Sequence, residues 1–382
     1  MTPSTITLGY ITSVTGPASS NYADGVDGAM ARIRLQNAEG GVDGRQIKLV
    51  TKDDQSNPAQ DATAASALVD SPVFGVIDAS VLAFAGAKAL QRAGMPVTGL
   101  QSDGPEWAQQ PYTNMFSAQP PSLTPFGGTY YTWDWAGTFL KSVGVTKLAA
   151  LAYSISPSGI TAAKGELTSA NRHGISTCYE NLSVPLGAVD FTAAALAIKK
   201  AGCNGVVGPL VDSSVAALSQ SVKDGGVKAT QYYNTAYDQN VLSNPAANAA
   251  LQGAYISTLL DFSPANAATQ KMLDALKKYD PHYKGGIPDF GLWTSYLGAD
   301  LMIQGLEMAG KNPTRQSFTS RLRLDTNYTA GGLLPTPVSF ANFGTKAMLP
   351  QTNCVYFVQL QGKNFVTVHG GKPLCSARIA IK

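Results

Sequence analysis

Three histidines, four cysteines and a few adjacent acidic residues are the groups in this 382-residue chain with intrinsic reactivity, and their spacing argues against catalysis. His173, His282 and His369 fall in polar, turn-like contexts at the ends of helical or extended stretches, which reads as surface placement. None has metal-ligand spacing to another, and no nucleophile elbow accompanies them. The cysteines include no Cys-x-x-Cys pair, which speaks against zinc and dithiol redox chemistry. Asp53 and Asp54 suggest a carboxylate pair, but neighbours on a strand face opposite ways, and Asp54 reads as a cap or turn residue. Gly127-Gly128 and Gly225-Gly226 lack a phosphate-loop pattern. The expectation is a protein without catalytic residues, bound metal or cofactor.

The chemistry that remains is recognition. Polar residues concentrate just after short β-branched runs: Ser13-Val14-Thr15-Gly16-Pro17, Asp78-Ala79-Ser80, Gln101-Ser102-Asp103-Gly104, Tyr153-Ser154-Ile155-Ser156, Pro209-Leu210-Val211-Asp212 and Thr235-Ala236-Tyr237-Asp238. On an open α/β sheet, ligands bind outside the carboxyl ends of the strands. Hydroxyls and backbone N–H groups at helix starts near Ser80 and Ser102 suit a carboxylate, because a first helical turn presents unpaired donors and partial positive charge. Tyr22, Phe84, Trp107, Tyr153 and Tyr237 supply apolar walls. Each of these positions also has a plain structural use, since Ser and Asp at strand ends commonly cap helices.

The elements that must position these loops follow a βαβ grammar. Strands are expected at ITLGYIT, QIKLVTKDD, VFGVID and MPVTGL, with a helix over 21–39 that Asn21 caps and Gly40-Gly41 end. The pattern restarts near residue 124 with a helix over 125–142, strand KLAALAY, helix 159–173, strand ISTCYENLSV, helix 190–201, strand NGVVGPL, helix 212–225 and strand TQYYNTA. Strand GAYIST, helices 264–279, 290–310 and 314–324, and a hairpin over 354–368 complete the chain. The prolines of QPPSLTP and Leu334-Pro335-Thr336-Pro337 hold extended segments that suit lobe crossings. Two Rossmann-like α/β lobes result, one from 1–121 and 252–334, the other from 122–251 and 335–382, joined by a hinge of several strands.

Composition excludes two partner classes. A net charge of +3, with no run of five like charges, leaves no footprint for nucleic acid or an anionic membrane surface. No stretch approaches the ~18 consecutive apolar residues of a membrane span, and MTPSTITLGY lacks a charged-then-apolar leader, so it reads as a mature start. The four cysteines admit three connectivities. Local pairs, Cys178 with Cys203 and Cys354 with Cys375, fall at neighbouring strand ends that meet the ~5.5–6 Å Cα spacing of a disulfide. Four unpaired, small hydrophobic residues are the alternative.

The stretch ITLGYITSVTGPASSNYADGVDGAMARIRLQNAEGGVDGRQIKLVTKDDQSNPAQDATAASALV closely resembles the opening of periplasmic branched-chain amino acid binding proteins, which are type I periplasmic binding proteins of ABC importers. The matching features are the Thr15-Gly16-Pro17 turn, the helix closed by Gly40-Gly41, the Val42-Asp43-Gly44-Arg45 turn, and Asp53-Asp54 followed by Asn57-Pro58 and an alanine-rich helix. The likeness extends more weakly over nearly the whole chain, including Pro105-Glu106. It implies a Venus-flytrap fold, an exported chain in free periplasmic or lipid-anchored form, a monomer, a small-molecule ligand in the interlobe cleft and an ABC permease as partner. In that family the loops matching Ser80–Leu82 and Ser102–Asp103 hold the ligand carboxylate, and an acidic residue in the loop matching Thr235–Asp238 holds its ammonium. This chain departs in both places: Val81, Leu82 and Ala83 follow Ser80, and Thr235 or Ala236 stands where the acid is expected. Asp238 and Asp212 are the substitutes, and an aromatic or aliphatic carboxylate is the alternative ligand. A ligand-sensing ectodomain and, further off, a cleft enzyme are the competing readings.

Overall fold

The computed structural model describes residues 1–80, 84–100, 104–122, 124–262 and 266–381. The chain divides into two compact units: Met1–Gly128 with Ala267–Pro350, and Thr129–Asn266 with Gln351–Lys382. The crossings therefore come later than the proline-rich segments suggested, and strand Tyr255–Thr258, expected in the first lobe, belongs to the second unit. Proline marks an extended backbone, but where contacts change hands is decided by packing.

The first unit is built on five parallel strands in the order β2-β1-β3-β4-β5: β1 Thr5–Thr12, β2 Gln46–Asp53, β3 Val76–Ala79, β4 Val97–Gly99 and β5 Met115–Ser117. Central strands of a parallel sheet are covered on both faces, and Val76-Ile77-Asp78-Ala79 is buried throughout, its one polar residue, Asp78, included. One face carries Leu68, Leu90, Phe84 and Trp107; Phe84 and Trp107 stack at 5.6 Å. Against the other lies helix Phe290–Ala309, apolar nearly all round, with Thr98 donating to its Gly298 carbonyl at 2.8 Å. Helix Gly25–Ala38 packs on that helix so closely that a Cβ at Gly28 would stand 2.0 Å from the Leu292 carbonyl oxygen. Among the described residues no helix is long and apolar enough to cross a membrane.

The helix expected over 21–39 is two pieces, Ser19–Tyr22 and Gly25–Ala38; Asn21 lies inside the first rather than capping the second. The helix expected over 125–142 is shorter still. Gly127 and Gly128 take φ of 59° and 77°, which ends any helical path, and the chain then pairs as β6 Tyr131–Trp133 before helix Trp135–Ser142 begins. The helix expected from 264 runs Ala267–Tyr279, and residues 264 and 265 lie outside the described set.

The second unit holds a mixed sheet in the order β6-β14-β12-β11-β10-β9-β7-β8, with β13 pairing β12. Its strands are β7 Lys147–Tyr153, β8 Ser176–Val184, β9 Gly205–Val207, β10 Thr230–Tyr233 and β11 Tyr255–Thr258, all parallel, then β12 Thr352–Gln361, β13 Asn364–Thr367 and β14 Leu374–Ala380, antiparallel. Phe139 stacks on Phe357 at 4.1 Å in the middle of its core. Both local disulfides are present. Cys354 and Cys375 are direct partners across β12 and β14 with Cα atoms 4.0 Å apart, and Cys178, the extra residue where the β7–β8 register shifts, reaches Cys203 at 5.8 Å.

Candidate functional site

The carboxyl ends of the first unit's strands are organised around a buried carboxylate. Asp54, wholly buried just beyond β2, accepts the Ser13 hydroxyl at 2.6 Å and the Ser56 backbone N–H at 2.7 Å through the same oxygen. Burial pushes its carboxyl up, and hydrogen bonds from Ser13, Ser80 and the Ser56 backbone pull it back. Asp53 faces the other way, accepting the Thr15 hydroxyl at 2.6 Å and the Thr15 N–H at 3.2 Å, as neighbours on a strand must. The Ser56 hydroxyl accepts from Ala18 N–H and donates to the Thr15 carbonyl, and Gly16, at φ 90°, lies where a Cβ would stand 2.3 Å from the Gln55 carbonyl oxygen. The Thr-Gly-Pro turn is thereby locked onto the loop after β2.

The expected contact residues therefore divide. Ser13 and Ser80 are both buried and tied to Asp54, so they fix loop shape rather than lie open to solvent. Tyr22 is buried edge-on against Phe290 at 5.7 Å, and Asp78 is the third residue of β3, also buried. Phe84 is 8% exposed above Trp107. Gln101, Ser102 and Asp103 lie outside the described residues. One group that sequence reasoning passed over is Asp61, in the alanine-rich helix Pro58–Val69: it is buried, accepts the Gly86 N–H at 2.7 Å, and has its carboxyl raised to about 7 by desolvation, with Asp54 adding to the shift. Its one signal in the sequence is an acid amid alanines on a helix that must cover a sheet.

In the second unit the strand ends are aromatic. The Tyr153 hydroxyl, 1% exposed, accepts the Val211 N–H at 3.2 Å, and burial raises its pKa. Ser154 is exposed, with its N–H on the Val184 carbonyl at 3.0 Å. Ser156 caps helix Pro157–Arg172, accepting the Gly159 N–H at 3.1 Å. Leu210 is buried and its carbonyl accepts the Thr235 hydroxyl at 2.8 Å, which joins the loops after β9 and β10. Asp212 opens helix Asp212–Asp224, half-buried, near enough to Tyr153 to act on its hydroxyl. Ala236 holds φ 68°, a left-handed conformation that disfavours side chains and sharply redirects the loop. Tyr237 donates to Asp261 at 3.3 Å, accepts from Phe262 N–H at 3.3 Å and packs edge-on against Phe365 at 4.9 Å. Asp261, unremarked in the sequence, is buried beneath it.

Asp238 was expected as a substitute partner for a ligand ammonium. It is 2% exposed and caps helix Gln239–Ser243, accepting the Val241 N–H at 2.8 Å. That bond holds its Oδ1 against the first turn of its own helix.

Known proteins bear on this arrangement. A curated relative, the Leu/Ile/Val-binding protein homolog 7 of Brucella abortus (strain 2308), is 23% identical over 317 residues, covering 79% of this chain and 76% of its own. Among solved structures, a fatty acid ABC transporter substrate-binding protein from Thermomonospora curvata superposes with a TM-score of 0.76 at 20% identity, over 99% of this chain and 93% of that one. An ABC transporter solute-binding protein from R. palustris, in complex with 4-hydroxybenzoate, gives 0.75 at 20% identity over 98% and 97%. These likenesses give the type I periplasmic binding protein fold, whose members here are transport proteins and not enzymes. The family model described as periplasmic binding protein matches residues 5–364, and the chain belongs to that family.

Proposed function

We propose that the protein captures a small organic carboxylate without a free ammonium group, outside the cytoplasm, and presents it to the permease of an ABC importer. The candidate contacts for the apolar part of the solute are strand-end aromatics, Phe84 in the first unit and Tyr153 and Tyr237 in the second. The observation that carries the choice of solute is Asp238. A buried ammonium costs several kcal/mol unless a carboxylate meets it, and Asp238 Oδ1 is turned to the first turn of its own helix by the Val241 N–H. The aromatic strand ends of the second unit support the same choice, as does the benzoate-type ligand of the R. palustris relative.

A thermal-shift series tests it with 4-hydroxybenzoate, benzoate, octanoate, leucine and isoleucine. A solute at a hundredfold excess over its Kd stabilises the fold by about 2.7 kcal/mol. Aromatic or fatty carboxylates are expected to raise Tm and leucine to leave it unchanged. A shift with leucine alone overturns the choice of solute, and no shift across a wider panel of organic acids overturns solute capture itself.

A further inference from the structure

We propose that Asp27, Asp280 and His282 of the first unit form a surface site for a divalent transition-metal ion of the zinc class. Asp27 lies in the first turn of helix Gly25–Ala38, and Asp280-Pro281-His282 follows directly on helix Ala267–Tyr279, which packs against it. The His282 Nδ1 stands 3.1 Å from Asp27 Oδ2 and 3.7 Å from Asp280 Oδ1, and the three donor atoms lie within 4.8 Å of one another. A tetrahedral zinc ion with bonds of ~2.0–2.1 Å sets its ligands about 3.3–3.4 Å apart. The two histidine separations bracket that edge, and the two carboxylates, within 4.8 Å of one another, would draw in as the set closes, leaving a fourth position for water.

Two further features set the cluster apart from an ordinary imidazole–carboxylate pair. Its charge is lopsided: Asp24, Asp27 and Asp280 all act on one imidazole, and among the described residues no lysine or arginine pairs with any of the three. Arg34 and Lys284 reach only the backbone carbonyls of Tyr279 and Pro281, so a divalent ion would be the cation in direct contact with these carboxylates. The donors are also held in advance. Asp280, with its side chain 2% exposed, is pinned by accepting the His282 N–H at 2.7 Å, and Pro281 between them limits the turn, while His282, 77% exposed, leaves an entry path from solvent. One nitrogen and two oxygens suit zinc better than magnesium or calcium, which take six or more oxygens. The metal would tie the two helix ends together.

Isothermal titration of the full chain after chelator dialysis tests the site, with Zn2+ and Mg2+ as separate titrants. One equivalent of Zn2+ is expected to bind while Mg2+ does not, and His282→Ala and Asp27→Asn should each weaken Zn2+ binding about tenfold or more. Circular dichroism on both variants confirms that the substitutions, one exposed and one half-buried, leave the fold intact. Absence of a stoichiometric Zn2+ event overturns the proposal. So does undiminished binding in both variants, which would move the ion to another histidine.

Discussion

The two units solve the same problem, a parallel sheet with loops at its carboxyl ends, with different materials. In the first, the strand-end loops hang on hydrogen bonds to buried carboxylates: Ser13 and Ser56 on Asp54, Gly86 on Asp61. In the second, stacked rings and two disulfides hold the frame, and the loops close on tyrosine hydroxyls at Val211 and Phe262. Hydrogen bonds to a carboxylate depend on its charge and so on pH. Ring stacking and covalent links do not. The first unit should respond to protons through its loops more than the second, where carboxylates enter at Asp238 and Asp261, and the second to reductant and to core truncation.

The largest effect is expected at the centre of the second core. Phe139 is wholly buried and touches Phe357, Tyr232 and Tyr255, so Phe139→Ala should cost about 4 kcal/mol and lower the calorimetric transition of that unit alone. Equal losses in two transitions would show that the units do not melt separately. Next comes the Cys354–Cys375 link, which closes a sequence separation of 21 residues. Replacing both cysteines by serine should cost about 3 kcal/mol, again in the second unit, read by urea denaturation. A shift in the first unit's transition of the same size breaks the contrast.

Glu166 sharpens it, because it is a buried acid of the second unit, like Asp238 and Asp261, whose Oε2 lacks the kind of bond Asp61 has. It sits in helix Pro157–Arg172, 8% exposed, with Oε2 buried and unbonded, and burial pushes its carboxyl up to about 8. Below the unfolded value of 4.5 both states keep the proton and nothing is lost. As pH rises from there to about 8 the unfolded chain releases it and the folded chain does not, so stability falls across that window. Glu166→Gln should therefore be neutral near pH 4 and stabilising by about 2 kcal/mol at pH 8.5, below the full 1.36 kcal/mol per unit because relaxation and water discount a buried charge. Urea titrations at both pH values measure it. A variant less stable at pH 8.5 would mean that Glu166 has a partner there.

Much of this frame is legible in the sequence, and the parts that are not share a cause. β1, β2, β7, β8 and helix Asp212–Asp224 announce themselves by period and by flanking turn residues, because burial on a sheet or helix face imposes that period. β6 does not: three residues on an edge, Tyr131-Thr132-Trp133, owe their strand to Arg378, Ile379 and Ala380, far along the chain. The cysteine pairs were readable because both are local. Side-chain roles at the strand ends were the least readable. Whether Ser13 faces solvent or Asp54, and whether Asp238 turns to a solute or to Val241, depends on a partner's position that no spacing encodes.

Ser13 gives the smallest expected effect and the most direct check on that point. Its hydroxyl is fully buried and bonds a carboxylate that burial already penalises, so Ser13→Ala removes a compensating donor from Asp54. The loss should be about 1.5 kcal/mol of first-unit stability, the low end for a hydrogen bond to a charged group, because burial already raises the Asp54 carboxyl. It should shrink as pH falls through the Asp54 range, since a protonated carboxyl needs the donor less. Affinity for the solute, measured by titration calorimetry, should change less than about threefold, under 0.7 kcal/mol, because the hydroxyl acts on the loop and not on the ligand. Tyr153→Phe is the counterpart in the second unit. It strips an acceptor from the Val211 N–H beside Ser214 and Asp212, and because no buried carboxylate is its direct partner, its cost should vary less with pH than that of Ser13→Ala. If Ser13→Ala weakens solute binding tenfold while leaving stability unchanged, Ser13 faces the ligand and the carboxylate-centred picture of the first unit fails. If both variants show the same pH dependence, the two units are held by the same kind of bond after all.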